Sequence, residues 1–386
     1  MSFIPYSCQD INEEDIAAVN AVLRSAYLTQ GPAVGAFEQA FAAQHQVEHA
    51  VAVSNATAGL HIACLALGVG AGSRVWTSPN SFLASANCAL YCGATIDFVD
   101  IDPLTRNLSV EALTHKLELA AAGNALPQLL IPVDFSGFPC DLREMRALAD
   151  RYGFGILEDA SHATGATYLG QPVGSAWADA TVFSFHAVKV VTTAEGGLVT
   201  TQNSQIAKRL RLLRSHGMTR DAADLRQPTE GPWVYEQQSL GFNYRLTDLQ
   251  AALGHSQLKR LPLMHQKRVE IADRYDNLLA DLPLLLPARG ADRLSAWHLY
   301  AIEIDETRTI CRRADVFQTL HGADIGVNVH YIPIHTQPYY SGLGFRTGDF
   351  PAAERYAARA LSLPLFPALT DAQQDRVVAA LREALA

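Results

Sequence analysis

The densest chemistry in the chain lies in F-S-F-H-A-V-K, residues 183–189, which ends on Lys189. The run leaves an apolar segment and is followed by E-G-G, residues 195–197. A lysine among small and apolar residues loses hydration, which disfavours its ammonium and frees an amine nucleophile. The plain alternative is a surface lysine whose stem lies on the protein and whose head stays in water. Two further stretches carry polar groups at the ends of apolar runs. S-N-A-T-A-G-L (54–60) joins a strand candidate to a helix candidate through small residues. N–H groups at such a helix start hold an anion, with help from the helix dipole. The same residues also read as an ordinary cap by Ser54 or Asn55. L-E-D-A-S-H (157–162) puts Asp159 at a strand end, where it faces a ligand or caps the next helix. His162, taken singly, reads as a satisfied structural histidine.

The combination narrows these alternatives. An anion site, a strand-end carboxylate and a lysine at the next strand's exit are the parts that hold pyridoxal phosphate. That cofactor needs a phosphate cradle, an acid on its pyridinium nitrogen and an amine for its imine.

The elements that must position these residues alternate along the chain. Short apolar runs at 50–53, 74–79, 95–100, 129–135, 155–160, 180–185 and 197–201 read as strands. Helical patterns at 35–45, 57–67, 82–92 and 141–152 fall between or before them. Residues 12–25 also read as a helix, capped by Asn12, with Ile16, Val19, Val22 and Leu23 as its apolar face. Alternation of this kind predicts a mostly parallel sheet covered on both faces, with ligands beyond the carboxyl ends of the strands. Residues 221–240 are polar, with Pro228, Gly231 and Pro232, and read as a long loop. A helix is expected at 246–261, and beyond it a smaller unit of helices and a few strands. Gly196 and Gly197 are read as turning the backbone into the next strand.

At 386 residues and 49% apolar, the chain has ample core for two units. A net charge of −9 without a basic run argues against nucleic acid and anionic membranes as partners. Six cysteines without a C-x-x-C pair read as reduced thiols. M-S-F-I-P-Y-S-C at the start lacks the pattern of a signal peptide, and no stretch is long enough to span a bilayer. A cytoplasmic location is expected. H-Y-I-P-I-H (330–335) offers two histidines but no third ligand at sensible spacing, so no metal is expected.

Several of these motifs, with Y-L-T-Q-G-P (27–32), F-V-D-I-D-P (98–103), L-G-F-N-Y-R-L-T-D-L-Q-A-A-L-G (240–254) and H-Y-I-P-I-H, resemble the DegT/DnrJ/EryC1/StrS sugar aminotransferases nearly end to end. The resemblance implies the α/β fold type I of pyridoxal-phosphate transferases, like aspartate aminotransferase. It implies a large cofactor-binding domain with an N-terminal helix at 1–260 and a small C-terminal α/β domain at 261–386. Lys189 is then the imine lysine and proton shuttle, and Asp159 the acid on the pyridine nitrogen. His162 is matched to a contact near the cofactor's 3-oxygen, and Phe82 to the aromatic stacked on its ring. Thr57, Ala58 and Ser184 are matched to its phosphate. Asn243 is matched to an asparagine reaching the partner subunit's phosphate site, which implies a homodimer with shared active sites. Tyr6, Ala26, Tyr27, Leu28, Thr29, His330, Tyr331 and Ile332 are matched to the nucleotide-sugar groove. No role is implied for His186 or His216.

Within the family, F-S-F-H-A-V-K with T-T-A-E-G-G, R-S-H-G-M-T-R-D (214–221) and L-S-L-P-L-F-P-A-L-T (361–370) are most similar to the aminotransferases of the pseudaminic acid pathway. That implies a UDP-linked 4-keto-6-deoxy sugar as acceptor and L-glutamate as donor. The alternative is another UDP-, dTDP- or GDP-linked keto sugar aminated at C-3 or C-4. A family dehydratase would carry histidine in place of Lys189, and a silent binding protein would not need Asp159, Ser184, Lys189 and Asn243 together.

Overall fold

A seven-stranded sheet forms the centre of the molecule in the computed structural model, which describes residues 3–226 and 231–386. Its strands are β1 (His49–Val53), β2 (Arg74–Thr77), β3 (Thr95–Phe98), β4 (Leu129–Ile131), β5 (Gly155–Asp159), β6 (Ala180–Ser184) and β7 (Gly197–Thr201). They lie in the order β1-β7-β6-β5-β4-β2-β3. Pairs β2–β3, β2–β4, β4–β5 and β5–β6 are parallel, while β7 runs antiparallel to both β1 and β6. Two reversals in succession restore direction, so β1 points the same way as β6. Every strand except β7 therefore ends at one edge of the sheet, where sheets of this type present their ligand sites. The central strands β4 and β6 are buried at every position, as expected for strands covered on both faces.

The chain enters through helix α1 (Glu13–Leu23) and helix α2 (Pro32–His45). Asn12 and Asp15 close a capping box at the start of α1, at 2.9 and 3.1 Å. Only half of the apolar face expected of α1 turns inward, where Val19 and Val22 are half-buried. Ile16 and Leu23 stay 45% and 55% exposed in the single chain. The buried residue is Asp15, whose Oδ2 accepts from Arg260 Nη2 at 2.7 Å and Gln257 Nε2 at 2.6 Å. These donors sit at the end of the helix Asp248–Lys259, against which α1 packs. The ionic anchor decides which side of α1 faces inward. Asp15→Ala is expected to lower unfolding free energy by about 3 kcal/mol, since it leaves Arg260 part-buried without this partner. Urea denaturation checks it.

Helices α3 (Ala56–Ala66) and α4 (Ala84–Tyr91) follow β1 and β2 and cover the sheet with Leu60, Ile62, Ala86 and Ala89. A small antiparallel sheet of Leu284–Leu285, Tyr300–Ile304 and Ala360–Leu363 lies in the C-terminal part. Helices Arg313–Gly322 and Asp371–Leu385 share its apolar cluster, with Ile302, Leu320, Leu361, Val377 and Leu381 fully enclosed. Ile4 enters the same cluster from the other end of the chain. It bridges Ile325, with Ile4 N–H donating to Asp324 O at 2.9 Å and Gly326 N–H to Ile4 O at 2.7 Å. Leu299, Ile334, Tyr340 and Tyr356 pack instead into the core of the large sheet.

The expected loop at 221–240 contains a two-residue strand, Glu236–Gln237, paired with Met218–Thr219. Pro228 falls outside the described residues, as do Met1 and Ser2 at the start of the chain. Among the described residues, no helix is long and apolar enough to cross a membrane.

Candidate active site

A cleft of about 910 Å³ opens at the edge where the parallel strands end. Strands β1, β2, β4, β5 and β6 contribute through residues at or just after their ends. Asn55 to Ala58 follow β1, Ser81 and Phe82 follow β2, and Val133 follows β4. Asp159 is the last residue of β5, and Ser184 the last of β6. Lys189 sits on the loop from β6 to β7, which is closed by Phe185 N–H to Gly196 O and Thr193 N–H to Phe185 O, both 2.9 Å. The lysine is thus held between two adjacent strands.

Gly197 has a different reason from the expected turn. A Cβ there would lie 2.6 Å from Ala56 N and from Asn55 C. Only glycine lets β7 begin against the first turn of α3, which is how the helix start comes to the sheet edge. Gly196 is equally confined, since a Cβ would collide with Thr193 Oγ1.

Asp159 is buried and held by neutral donors alone. Ser85 Oγ donates to Oδ2 at 2.6 Å, and Ser161 Oγ and N–H donate to Oδ1 at 2.6 and 3.2 Å. Among the described residues it has no ion-pair partner, so its charge remains available to a cation in the cleft. The adjacent Glu158 points to the opposite face of the strand, where Thr181 Oγ1 donates to it at 2.7 Å. Burial first, then the nearby Asp134 carboxylate, pushes the Glu158 pKa well above its usual value, which keeps it protonated.

The Lys189 residue is only part-buried, but atoms crowd its amine. Desolvation lowers its pKa to about 7, against a smaller raising effect of Asp159. Its Nζ lies 3.3 Å from His298 Nε2. His162 sits nearby with its tautomer fixed. Ser136 N–H donates to its Nδ1 at 3.2 Å, so the ring proton is on Nε2, which donates to the Tyr331 hydroxyl oxygen at 3.1 Å. Burial, then Lys189 and His330, hold the His162 pKa well below 6.5, so the ring is neutral. His330 is lowered to about 4 by burial and Lys189, and its Nδ1 pairs with Ser362 Oγ at 2.8 Å. His335 turns away to Glu354 at 2.8 Å, so the two histidines of H-Y-I-P-I-H do not converge.

Tyr6, Thr57, Ala58, Phe82, Asp159, His162, Ser184, Lys189, His330 and Tyr331 thus all line one cleft. Ala58 N–H is already taken by Asn55 Oδ1 at 2.8 Å, the capping bond. Ala26, Tyr27, Leu28, Thr29, Ile332 and Asn243 do not line the cleft of the single chain. Leu28 O accepts from Asp248 N–H at 3.0 Å, Thr29 bridges Thr247, and Ile332 is 61% exposed. Asn243 is exposed on an arm and bridges Ser215. His186 is exposed, with Nε2 3.9 Å from Glu195. His216 is bound through its backbone N–H to Phe242 O at 2.8 Å. His298 and Ser85 are site residues that no motif marks, while Ser161 lies in L-E-D-A-S-H but is given no role there. His298 reaches the lysine only because the C-terminal part folds back onto the large sheet.

A DegT/DnrJ/EryC1/StrS aminotransferase family model matches residues 9–382. The spore coat polysaccharide biosynthesis protein SpsC of Bacillus subtilis (strain 168) is 41% identical over 384 residues, covering 99% of this chain and 97% of that protein. Among solved structures, Helicobacter pylori PseC, an aminotransferase of pseudaminic acid biosynthesis, is 32% identical with a TM-score of 0.91, covering 100% of this chain and 99% of that one. The putative sugar aminotransferase Spr1654 of Streptococcus pneumoniae in its PLP form is 30% identical with a TM-score of 0.87, covering 100% of both chains.

Proposed function

The chain belongs to the DegT/DnrJ/EryC1/StrS aminotransferase family, and from that premise we propose that it moves the amino group of L-glutamate to C-4 of UDP-2-acetamido-2,6-dideoxy-β-L-arabino-hex-4-ulose. The product is UDP-4-amino-4,6-dideoxy-N-acetyl-β-L-altrosamine. Family membership makes it a pyridoxal-phosphate-dependent sugar aminotransferase of fold type I. The observation behind the finer reading is the end-to-end likeness to the H. pylori enzyme of pseudaminic acid biosynthesis. A second reading is a related aminotransferase acting at C-3 or C-4 of another UDP-, dTDP- or GDP-linked keto sugar. The higher identity to the B. subtilis spore coat polysaccharide protein favours it. Incubating the protein with the UDP-linked 4-keto sugar and glutamate, with product NMR, decides between them. Amination of a different keto sugar in a panel, but not of this one, moves the function to the second reading.

The residues fit the cofactor. The uncompensated Asp159 carboxylate suits a protonated ring nitrogen, and the confined Gly197 brings the start of α3 to the cleft. Pyridoxal phosphate, when bound, supplies an electron sink for cleavage of a C–H bond beside the amino group. Lys189 is assigned as its covalent anchor and as the base. Its Nζ takes the proton from the donor carbon and later delivers one to the sugar's C-4. Asp159 holds the proton on the ring nitrogen. Ser184 Oγ and Thr57 would hold the phosphate, and neutral His162, hydrogen-bonded to Tyr331, would orient the 3-oxygen side. Phe82 covers the ring.

An amine with a pKa of about 7 is half neutral at pH 7 and becomes fully neutral above it. The rate at which the protein captures added pyridoxal phosphate should therefore rise about tenfold per pH unit below 7 and level off above 8. Stopped-flow absorbance measures it. A rate still climbing at pH 9 would place the amine in an ordinary, solvated setting.

A homodimer with shared sites belongs to this reading. Its support is the uncovered apolar surface of Ile16 and Leu23 on α1 and of Trp233, Tyr235 and Leu240, the last 80% exposed. We also assign 1–260 to a cofactor-binding unit and 261–386 to a smaller one, on the separate apolar cluster of the C-terminal sheet. Glutamate, the UDP group and a cytoplasmic site of action follow from the same reading.

A further inference from the structure

We propose that His298 is the positioning residue for the free amine of Lys189, its Nε2–H donating to the amine lone pair so that the amine rests neutral and aimed into the cleft. The contact is direct, 3.3 Å from Nζ to Nε2. The imidazole is rigidly mounted. His298 is 3% exposed, and its backbone N–H donates to Ser136 O at 3.0 Å. Ser136 Oγ in turn donates to Leu299 O at 2.6 Å, which pins the next residue. The ring also lies against His162, with centroids 4.5 Å apart.

The tautomer follows from what the other ring nitrogen lacks. His298 Nδ1 is buried and has no hydrogen-bond partner. A proton there would be an orphaned donor, which is rarer in folded proteins than an under-used acceptor. The proton therefore sits on Nε2 and points at Lys189. A second charge on the imidazole is excluded by its surroundings. Burial, then Lys189, His162, Arg268 and His330, keep its pKa well below 6.5. The charged and titratable groups facing the pair are Asp159, which favours the ammonium, and His162, His330 and Arg268, which are neutral or cationic.

The arrangement gives the lysine a parking position. Whenever Nζ is released from covalent duty, the imidazole receives it by one hydrogen bond and holds it neutral until the donor carbon's proton is presented. The inference deepens the role assigned to Lys189 under the proposed function. Its test requires neither cofactor nor sugar, so its failure leaves that role standing.

The experiment labels the full-chain, cofactor-free protein with an amine-reactive reagent across pH and quantifies Lys189 by peptide mass. The wild-type half-point is expected near 7. His298→Asn is polar but too short to reach Nζ. It should raise the half-point by about 1 pH unit, the displacement that one hydrogen bond to the neutral amine supplies. His298→Gln keeps a donor at that reach and should restore the half-point to within about 0.3 unit of wild type. An unchanged or lowered half-point in His298→Asn overturns the proposal, as does identical behaviour of the two variants. If either variant fails to fold, the wild type suffices. Histidine ¹⁵N NMR must show the proton on Nε2 of His298, and a proton on Nδ1 overturns the assignment.

Discussion

Lys189→Ala is expected to stop transamination, with turnover falling about 10⁴-fold or more, because one side chain supplies both the covalent anchor and the proton carrier. No other amine is in position to replace it. Among the described residues lining the cleft, Lys189 is the only lysine, and the neighbouring His162, His298 and His330 are all held neutral with lowered pKa values. Those histidines are weak bases, and a fixed ring cannot follow a proton between two carbons. Lys189→Arg should fail equally. Its guanidinium stays protonated at any working pH and has no lone pair to offer. The fold should survive both changes, since Lys189 forms no ion pair among the described residues. Its loop is held instead by the bonds of Phe185 and Thr193 and by Ser7 Oγ donating to Val188 O at 3.2 Å. Steady-state turnover, with circular dichroism to confirm folding, checks this. Residual turnover within tenfold of wild type in Lys189→Ala would remove the lysine from the chemistry.

Asp159→Asn should lower turnover by about 10²–10³-fold at nearly unchanged stability, the usual cost of removing one preorganised electrostatic partner. The substitution is isosteric. The Ser85 hydroxyl can rotate to accept from the new amide, and Ser161 can still donate to its carbonyl. What disappears is the negative charge, left unneutralised because only hydroxyls and one backbone N–H surround it. Both half-reactions should slow together, since both draw on the same protonated ring nitrogen. Single-turnover measurements with glutamate and with the keto sugar separate the halves. A defect confined to one of them would mean that Asp159 serves a substrate, not the ring.

Much of this site was legible because its parts sit at strand ends. Asp159, Ser184 and the 54–58 turn are marked by apolar runs that stop, and the edge of a parallel sheet does the assembly. The sheet itself follows from the same runs, including β7, whose antiparallel course left the strand pattern unchanged. Helices Val110–Ala122 and Ser204–Arg214 carry capping residues, Ser109 and Asn203, as readable as Asn12. They lie outside the pattern of chemical motifs and were not among the expected elements. The inward face of α1 was only half legible. Val19 and Val22 turn inward with the period, but the fully buried position on that side is Asp15, held by a long-range ion pair to Arg260 that no local signal announces. His298 was hidden for the same reason. It stands 109 residues from Lys189, in a run, S-A-W-H-L-Y, that resembles any buried strand. Gly197 was visible as a glycine, but the neighbour that requires it, the start of α3, is apparent only in space.

The N-terminal thread sets a timetable for folding. Ile4 completes the C-terminal cluster beside Ile325, and Ser7 reaches the lysine loop, yet both are made long before the residues they meet. Ile325 emerges 321 positions later (325 minus 4), which at about 5–20 residues per second leaves Ile4 without this partner for at least ~16 s. The large sheet can assemble during that interval, but the C-terminal cluster is complete only once Ile4 joins it. A bulky fusion before Phe3 should therefore delay the appearance of activity after synthesis more than the appearance of secondary structure.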